Sequence, residues 1–222
     1  MLPIQAFIFD LDGVLTDTAE YHFLAWKRLA DEEGLPFTRE DNEKLRGLSR
    51  RDSLLALLKG RPVPEATLEA WMDRKNAYYR EYLTRIGPGD LLPGVMRFLT
   101  EAQHAGLRLG VGSASKNAEA VLRGLGIRHL FEAIGDGYSV SRAKPAPDLF
   151  IWVAGRLGVP PSLCVVFEDA EAGIAAARTA GMLTVGLGPG SRVGGAHVHY
   201  PDLAEVHVQE VLGKLTALAA LP

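Results

Sequence analysis

The sequence predicts an α/β protein: a parallel sheet with helices on both faces, and a helical bundle inserted after the first strand. Three observations carry this. Short apolar runs rich in β-branched and aromatic residues recur at 7–9, 107–112, 133–134, 164–167 and 183–186, the length and composition of buried parallel strands. From residue 91 onward these runs alternate with helical periodicity, as crossovers between parallel strands require. Between the first run and the hinge-like Gly87-Pro88-Gly89, residues 15–88 show helical spacing only. The expected division is a core of 1–14 and 89–222 and a cap of 15–88.

Taken in order, Phe7-Ile8-Phe9 forms the first strand and Asp10-Leu11-Asp12-Gly13 its exit. Thr18 or Asp17 can cap a helix that runs to about Glu33, where Gly34 suits its stop; Phe23, Trp26, Leu29 and Ala30 give its apolar face. Thr38 with Asp41, and Ser49 with Asp52, are similar to capping boxes with Asp in place of Glu. Leu54, Leu55, Leu57 and Leu58 are read as the stripe of the helix that Ser49 starts. Pro62 and Pro64 break the chain, and a long helix follows over 65–85. Pro93-Gly94 opens a helix to about Ala105. The run 107–112 leads into Ser113-Ala114-Ser115-Lys116-Asn117 and another helix. A helix starts near Pro147, since proline suits a first helical turn. The run 164–167 ends in Glu168-Asp169, a helix follows over 172–180, and 183–186 is the last expected strand. The glycine-rich 186–195 reads as a loop.

Composition narrows the function. The chain has 222 residues and a net charge of −3, enough for one domain with an insertion and without the broad basic surface that nucleic acid needs. No apolar run reaches the ~20 residues of a spanning helix, and the N-terminal run meets Asp10 too early for a signal peptide. The single cysteine, Cys164, packs as a small hydrophobe and has no internal disulfide partner. A cytoplasmic monomer that binds neither nucleic acid nor membrane is the expectation.

The candidate chemistry lies at strand ends, where open α/β sheets bind ligands. Asp10 and Asp12 stand two apart at the end of a buried strand, and isolated buried charge is costly. One acid can stay ionised as nucleophile or metal ligand while the other, its pKa raised by its neighbour, holds a proton. The alternative is a strand ending in a polar turn. Ser113 and the amides after it suit a phosphate, or Ser113 is an ordinary N-cap. Pro145 biases Lys144 towards extended geometry, which aims its ammonium at an anion, unless Lys144 is a solvent lysine. Glu168 and Asp169 suit magnesium, or are acids favoured at a helix start. His197 and His199 could share one side of an extended segment, weak evidence for metal without acids beside them.

The set Asp10-x-Asp12-x-Val14, Ser113, Lys144 and Glu168-Asp169 resembles, in order, the four motifs of the haloacid dehalogenase superfamily. That resemblance spans the chain and implies a Rossmann-like core with a helical cap. It implies Asp10 as phosphorylated nucleophile and Asp12 as acid/base. It implies Mg2+ held by Asp10, the Asp12 carbonyl and Asp169 with Glu168 close by, and Ser113 and Lys144 on the transferring phosphoryl group. Thr16 to His22, Arg46 to Ser53, Arg74-Lys75-Asn76 and Ser113 to Asn117 are similar to the sugar-phosphate mutases of that superfamily. They imply Thr18 and His22 at the cap hinge, with His22 steering Asp12. Arg50 would bind the non-reacting phosphate, helped by Ala114, Ser115, Lys116 and Asn117. Arg46, Gly47, Ser53 and Lys75 would line the sugar side. The implied reaction interconverts β-glucose 1-phosphate and glucose 6-phosphate through a 1,6-bisphosphate; the alternative is a sugar-phosphate or phosphoglycolate phosphatase on the same core. Two departures stand out: Arg46 where lysine is common, and Ala170 where many relatives have serine.

Overall fold

A computed structural model describes residues 4–219; residues 1–3 and 220–222, at the ends of the expected core, lie outside the described residues. The strands are β1 (Ala6–Phe9), β2 (Arg108–Gly112), β3 (Ala133–Gly135), β4 (Cys164–Glu168), β5 (Leu183–Leu187) and β6 (Val198–Tyr200). They form one sheet in the order β3-β2-β1-β4-β5-β6, parallel throughout. β1 lies in the middle, Phe9 opposite Val111 on one side and Phe167 on the other. Its buried run needs covering on both faces, and the side chains alternate accordingly.

Phe7 and Phe9 point into one layer, which holds Phe98, Phe167, Val121 and Val211; Ala6 and Ile8 point into the other, with Phe150, Val153, Leu157 and Ala177. The first layer belongs to α5 (Val95–His104), α6 (Ala118–Gly124) and α10 (Val208–Ala219), the second to α7 (Asp148–Leu157) and α8 (Glu171–Thr179). Four phenylalanines interlock under the sheet: Phe9 stacks on Phe167 at 4.7 Å, and Phe7 and Phe98 meet both edge-on or stacked. Each contributes about 1.5–3 kcal/mol by burial.

The inserted segment holds α1 (Ala19–Glu32), α2 (Arg39–Glu43), α3 (Arg50–Leu58) and α4 (Glu65–Leu83). It has an apolar cluster of its own, with Phe23, Trp26, Leu29, Leu54, Leu57 and Leu68. Thr38 and Asp41 form a reciprocal capping box. Ser49 accepts from the Asp52 amide, but the Asp52 carboxylate takes the Ser49 hydroxyl instead of a backbone amide, so that box is half made. Leu55 departs from the expected stripe: it is 43% exposed, since only 54, 57 and 58 fall on the packed side of a helix this short. Thr18 stands at the N-cap of α1 without a side-chain cap bond, its hydroxyl being used elsewhere; Asp17 Oδ1, one residue earlier, accepts from the Ala19 amide at 2.9 Å.

The two connections to the insertion run side by side. Thr16 and Leu91 form an antiparallel bridge. The Leu92 amide donates to the Leu15 carbonyl at 3.0 Å, and Thr16 Oγ1 donates to the Asp90 carbonyl at 2.7 Å.

Three elements exceed the sequence reading. The three-residue strand β6 extends the sheet, and α10 packs on α5 and β6. A short helix, α9 (Gly190–Val193), interrupts the expected loop. Among the described residues no helix is long and apolar enough to cross a membrane.

Candidate active site

β1 and β4 are neighbours, so their ends bring Asp10 beside Glu168 and Asp169. Oxygens of these three buried acids lie within 4.8 Å of one another. Lys144 reaches in from the loop before α7, its Nζ 2.6 Å from Asp10 Oδ1 and 2.8 Å from Glu168 Oε2. It is 2% exposed, which removes the solvent-lysine alternative. Burial works against its charge, but Asp10 and Glu168 outweigh burial and hold its pKa above the ordinary lysine range. Burial and then the charge of Asp10 push the carboxyls of both Glu168 and Asp169 up. Lys144 keeps its proton, wedged between two carboxylates, and any proton the crowded site takes up goes to the acids.

Two glycines make room for this cluster. Gly13 has φ +82°, and a Cβ there would lie 2.3 Å from Asp169 Oδ2, so only glycine turns the chain past that acid. A Cβ on Gly173 would meet Glu168 Oε2 at 1.9 Å.

With Asp12 beside them, four carboxylates meet Lys144 and, at 3.4 Å from Asp169 Oδ2, Arg46 and Arg192, so negative charge is in surplus, and the donors are all oxygen. That set fits a hard divalent cation. Glu168 has both oxygens engaged, Oε2 by Lys144 and Oε1 by the amides of Asp169 and Ala170 at 3.1 Å. The freer oxygens belong to Asp10 and Asp169.

Asp12 follows on the turn and opens on the cavity above. Burial, then the charge of Asp10, pushes its carboxyl up to about 6, with the Thr18 hydroxyl pulling the other way. The surface that Asp12 keeps towards the cavity tempers this. Thr18 Oγ1 donates to Asp12 Oδ1, which is why it makes no cap bond to α1.

That cavity lies between the sheet and the insertion. Asp10, Asp12, Ser113, Ala114, Ser115, Lys116, Asn117 and Asp169 line it from below, and His22, Arg46, Gly47, Arg50, Ser53 and Lys75 from above. Thr18, Lys144 and Glu168 stand behind its wall. Ser113 is not an N-cap: α6 starts at Ala118 with Asn117 at its cap. Ser113 Oγ accepts from the Ser115 amide at 3.1 Å, and Ser115 Oγ from the Asn117 amide at 3.2 Å.

The upper wall is cationic. Arg50 donates to Asn76 Oδ1 at 2.9 Å, as does Asn117 Nδ2 from below. Arg50 has no ion pair with a carboxylate among the described residues, and burial lowers its pKa. Lys75 is 3% exposed, with Nζ 2.8 Å from His22 Nδ1 and 4.7 Å from the centre of the Trp26 ring. Burial, then Arg50, lowers its pKa well below the lysine range. Burial and the cations Lys75, Arg50 and Arg46 likewise hold His22 neutral, so its lone pair can accept from Lys75. His22 therefore faces Lys75, and Thr18 is the residue on Asp12.

Arg46 lies 2.9 Å from Glu43 and 3.4 Å from Asp169 Oδ2. It thus pairs across the cavity with the acidic cluster. The Ala170 methyl faces Gly47, where a Cβ would stand 3.1 Å away. His197 Nδ1 accepts from the Thr184 amide, and His199 Nε2 lies 2.5 Å from the Gly188 carbonyl; both serve local structure.

Sequence reasoning missed Tyr79 and assigned nothing to Asn76. Tyr79 lies four residues on from Lys75 on the same face of α4, a signal helical spacing provides; Asn76, one residue on, carries no such signal. It also missed Arg192, 3.4 Å from Asp169 Oδ2, inside the glycine-rich segment that reads as a loop.

Residues 4–181 match the haloacid dehalogenase-like hydrolase family. The chain belongs to that family. Within it, the chain is 44% identical over 197 residues to the β-phosphoglucomutase of Bacillus subtilis (strain 168), covering 87% of each. It is 36% identical over 178 residues to the fructose-1-phosphate phosphatase YqaB of Escherichia coli (strain K12), covering 79% of this chain and 92% of that one. The crystal structure of β-phosphoglucomutase from Clostridium difficile superposes with a TM-score of 0.95 at 36% identity, covering 98% of this chain and all of the other. The haloacid dehalogenase fold, a parallel sheet with a helical insertion, is therefore shared along the whole described chain.

Proposed function

We propose that this haloacid dehalogenase-family protein is a β-phosphoglucomutase, interconverting β-D-glucose 1-phosphate and β-D-glucose 6-phosphate through a 1,6-bisphosphate. The observation that carries this is one cavity whose two opposite walls each present groups suited to a phosphate. At its floor stand Asp10 and Ser113, with Lys144 behind. On its opposite wall Arg50, without a carboxylate partner among the described residues, shares Asn76 with Asn117 of the core, next to Lys116. A phosphatase needs one such wall; a bisphosphate needs both. The similarity to β-phosphoglucomutases supports the same reading.

In this reading residues 15–88 act as a cap on the core. Asp10 attacks a phosphoryl group held by Ser113 and Lys144, forming an aspartyl phosphate. The departing sugar oxygen takes a proton from Asp12. In the return step Asp12 removes a proton from the free hydroxyl of a sugar monophosphate, and that oxygen attacks the aspartyl phosphate to give the 1,6-bisphosphate. Fixed charge and alignment supply most of the acceleration in such transfers. Arg50 holds the second phosphate, while Arg46, Gly47, Ser53, Lys75 and the 114–117 loop place the sugar between the two. Asp10, the Asp12 carbonyl and Asp169, with Glu168 beside them, would hold Mg2+, which when bound offsets the surplus negative charge of phosphoryl and acids.

The test is incubation with β-glucose 1-phosphate, glucose 1,6-bisphosphate and Mg2+, following glucose 6-phosphate and free phosphate together. Glucose 6-phosphate should exceed phosphate many-fold, and a chelator should abolish both. Phosphate released one for one with substrate loss would mark a phosphatase.

A further inference from the structure

Helix α4 carries a buried tyrosine that no step above uses. Tyr79 is 1% exposed, and its phenol oxygen lies 3.0 Å from Thr18 Oγ1. Its ring stacks on His22 at 4.1 Å between centroids, and Lys75 Nζ stands 4.8 Å from its centre. Tyr79 therefore contacts Thr18 and His22 and lies beside Lys75. Burial, then the charge of Asp12, raises the phenol pKa well above the ordinary tyrosine value, against the Thr18 and Ser115 hydroxyls, so the phenol keeps its proton as a donor.

Thr18 has one hydroxyl proton and two lone pairs. It gives the proton to Asp12 Oδ1, so towards Tyr79 it can only accept. The result is a directed chain, Tyr79 O–H to Thr18 O–H to Asp12. Such chains polarise one another in a water-poor interior. When Asp12 instead carries a proton, the same three oxygens can bond in the reverse sense, with no proton leaving its own oxygen.

We propose that Tyr79 is a positioning residue for Asp12, acting through Thr18: the phenol sets the direction of the Thr18 hydroxyl and so the orientation of the Asp12 carboxylate. The chain begins on α4, inside the insertion, and ends on the sheet side, so the acid/base is aligned only when α4 is in place. This rests on Asp12 acting as acid/base in the reaction proposed above.

The test is a double-mutant cycle on the full chain, with kcat and KM for β-glucose 1-phosphate measured at saturating bisphosphate. Tyr79→Phe keeps the ring and removes the hydroxyl. It should lower kcat about tenfold, the upper end of what one hydrogen bond between neutral hydroxyls carries, with KM within twofold. Thr18→Val should lower kcat further, and Tyr79→Phe added to it should change kcat less than twofold, because the phenol then has nothing to act through. With Thr18→Ser, which keeps the hydroxyl, Tyr79→Phe should again lose about tenfold; this pair decides if the valine variants do not fold. Losses that multiply in the double variant, a wild-type kcat for Tyr79→Phe, or a loss in KM alone would overturn the proposal. A wild type that forms no glucose 6-phosphate would refute the mutase reading instead, and the same cycle is then read on phosphate release.

Discussion

The floor and the roof of the cavity treat charge in opposite ways. On the floor, at the ends of β1 and β4, three buried carboxylates crowd one lysine. On the roof, on the helices of the insertion, Arg50 and Lys75 stand partly or wholly buried with amide, imidazole and ring partners. The floor is short of positive charge and the roof of negative. A buried charge left without its counterpart is unfavourable, so each side is built for something brought from outside: a cation for the floor, an anion for the roof. Strand ends suit the first, since neighbouring parallel strands bring acids to within bonding distance; helix faces suit the second, since they hold long cations at separate points around the cavity.

The sharpest way to break the comparison is at the floor. Asp10→Asn keeps the shape and removes the nucleophile, so both glucose 6-phosphate formation and phosphate release should fall by at least about a thousandfold, with circular dichroism unchanged. Near-normal turnover would make the acids structural. At the roof, Arg50→Ala should lower mutase turnover about 30- to 100-fold, while phosphorylation of Asp10 by acetyl phosphate, a donor with no second phosphate, should stay within about threefold. Equal losses in both assays would show that the roof does not read a second phosphate.

The smallest effect concerns stability. Asp12 titrates at about 6, and the carboxyls of Glu168 and Asp169 are also raised, above an unfolded value of about 4. Between pH ~4 and the raised values the folded chain binds more protons than the unfolded one, so this cluster loses stabilising free energy as pH rises. The metal-free thermal midpoint should therefore decline between pH 5 and 8 beyond what Asp169→Asn shows. Mg2+ should raise the midpoint more at pH 8 than at pH 5. A chain of this size shifts by about 2–4 °C per kcal/mol. A slope unchanged in Asp169→Asn would count against the surplus of charge.

Much of the floor is legible in the sequence, because a carboxylate after a run such as Cys164 to Phe167 has few reasons to be there other than a site. Which contacts the roof residues make is not legible. A helical face shows that Lys75 and His22 could meet a cavity, yet not that they would meet each other and leave Asp12 to Thr18. Tyr79 reads as core by type and is core by burial; its role lies in one oxygen. In the sheet, β6 was missed because it alternates, with Val198 and Tyr200 inward and His199 outward, over only three residues. The buried 208, 211 and 215 of α10 do carry a helical signal. Arg192 has none, since nothing in a glycine-rich segment marks which cation folds back onto an acid.

The twin connections at Thr16 and Leu91 have a mechanical consequence. Two chains fastened side by side cannot swing apart, so a movement of the insertion would turn about the ribbon they form, with little freedom to tumble. Thr18 is two residues beyond that ribbon, and the first effect of any rotation is to move the hydroxyl that rests on Asp12. Motion about a single axis is also repeatable. In the proposed cycle a doubly phosphorylated sugar must leave and return end for end, and a joint of this kind restores the same alignment after every excursion.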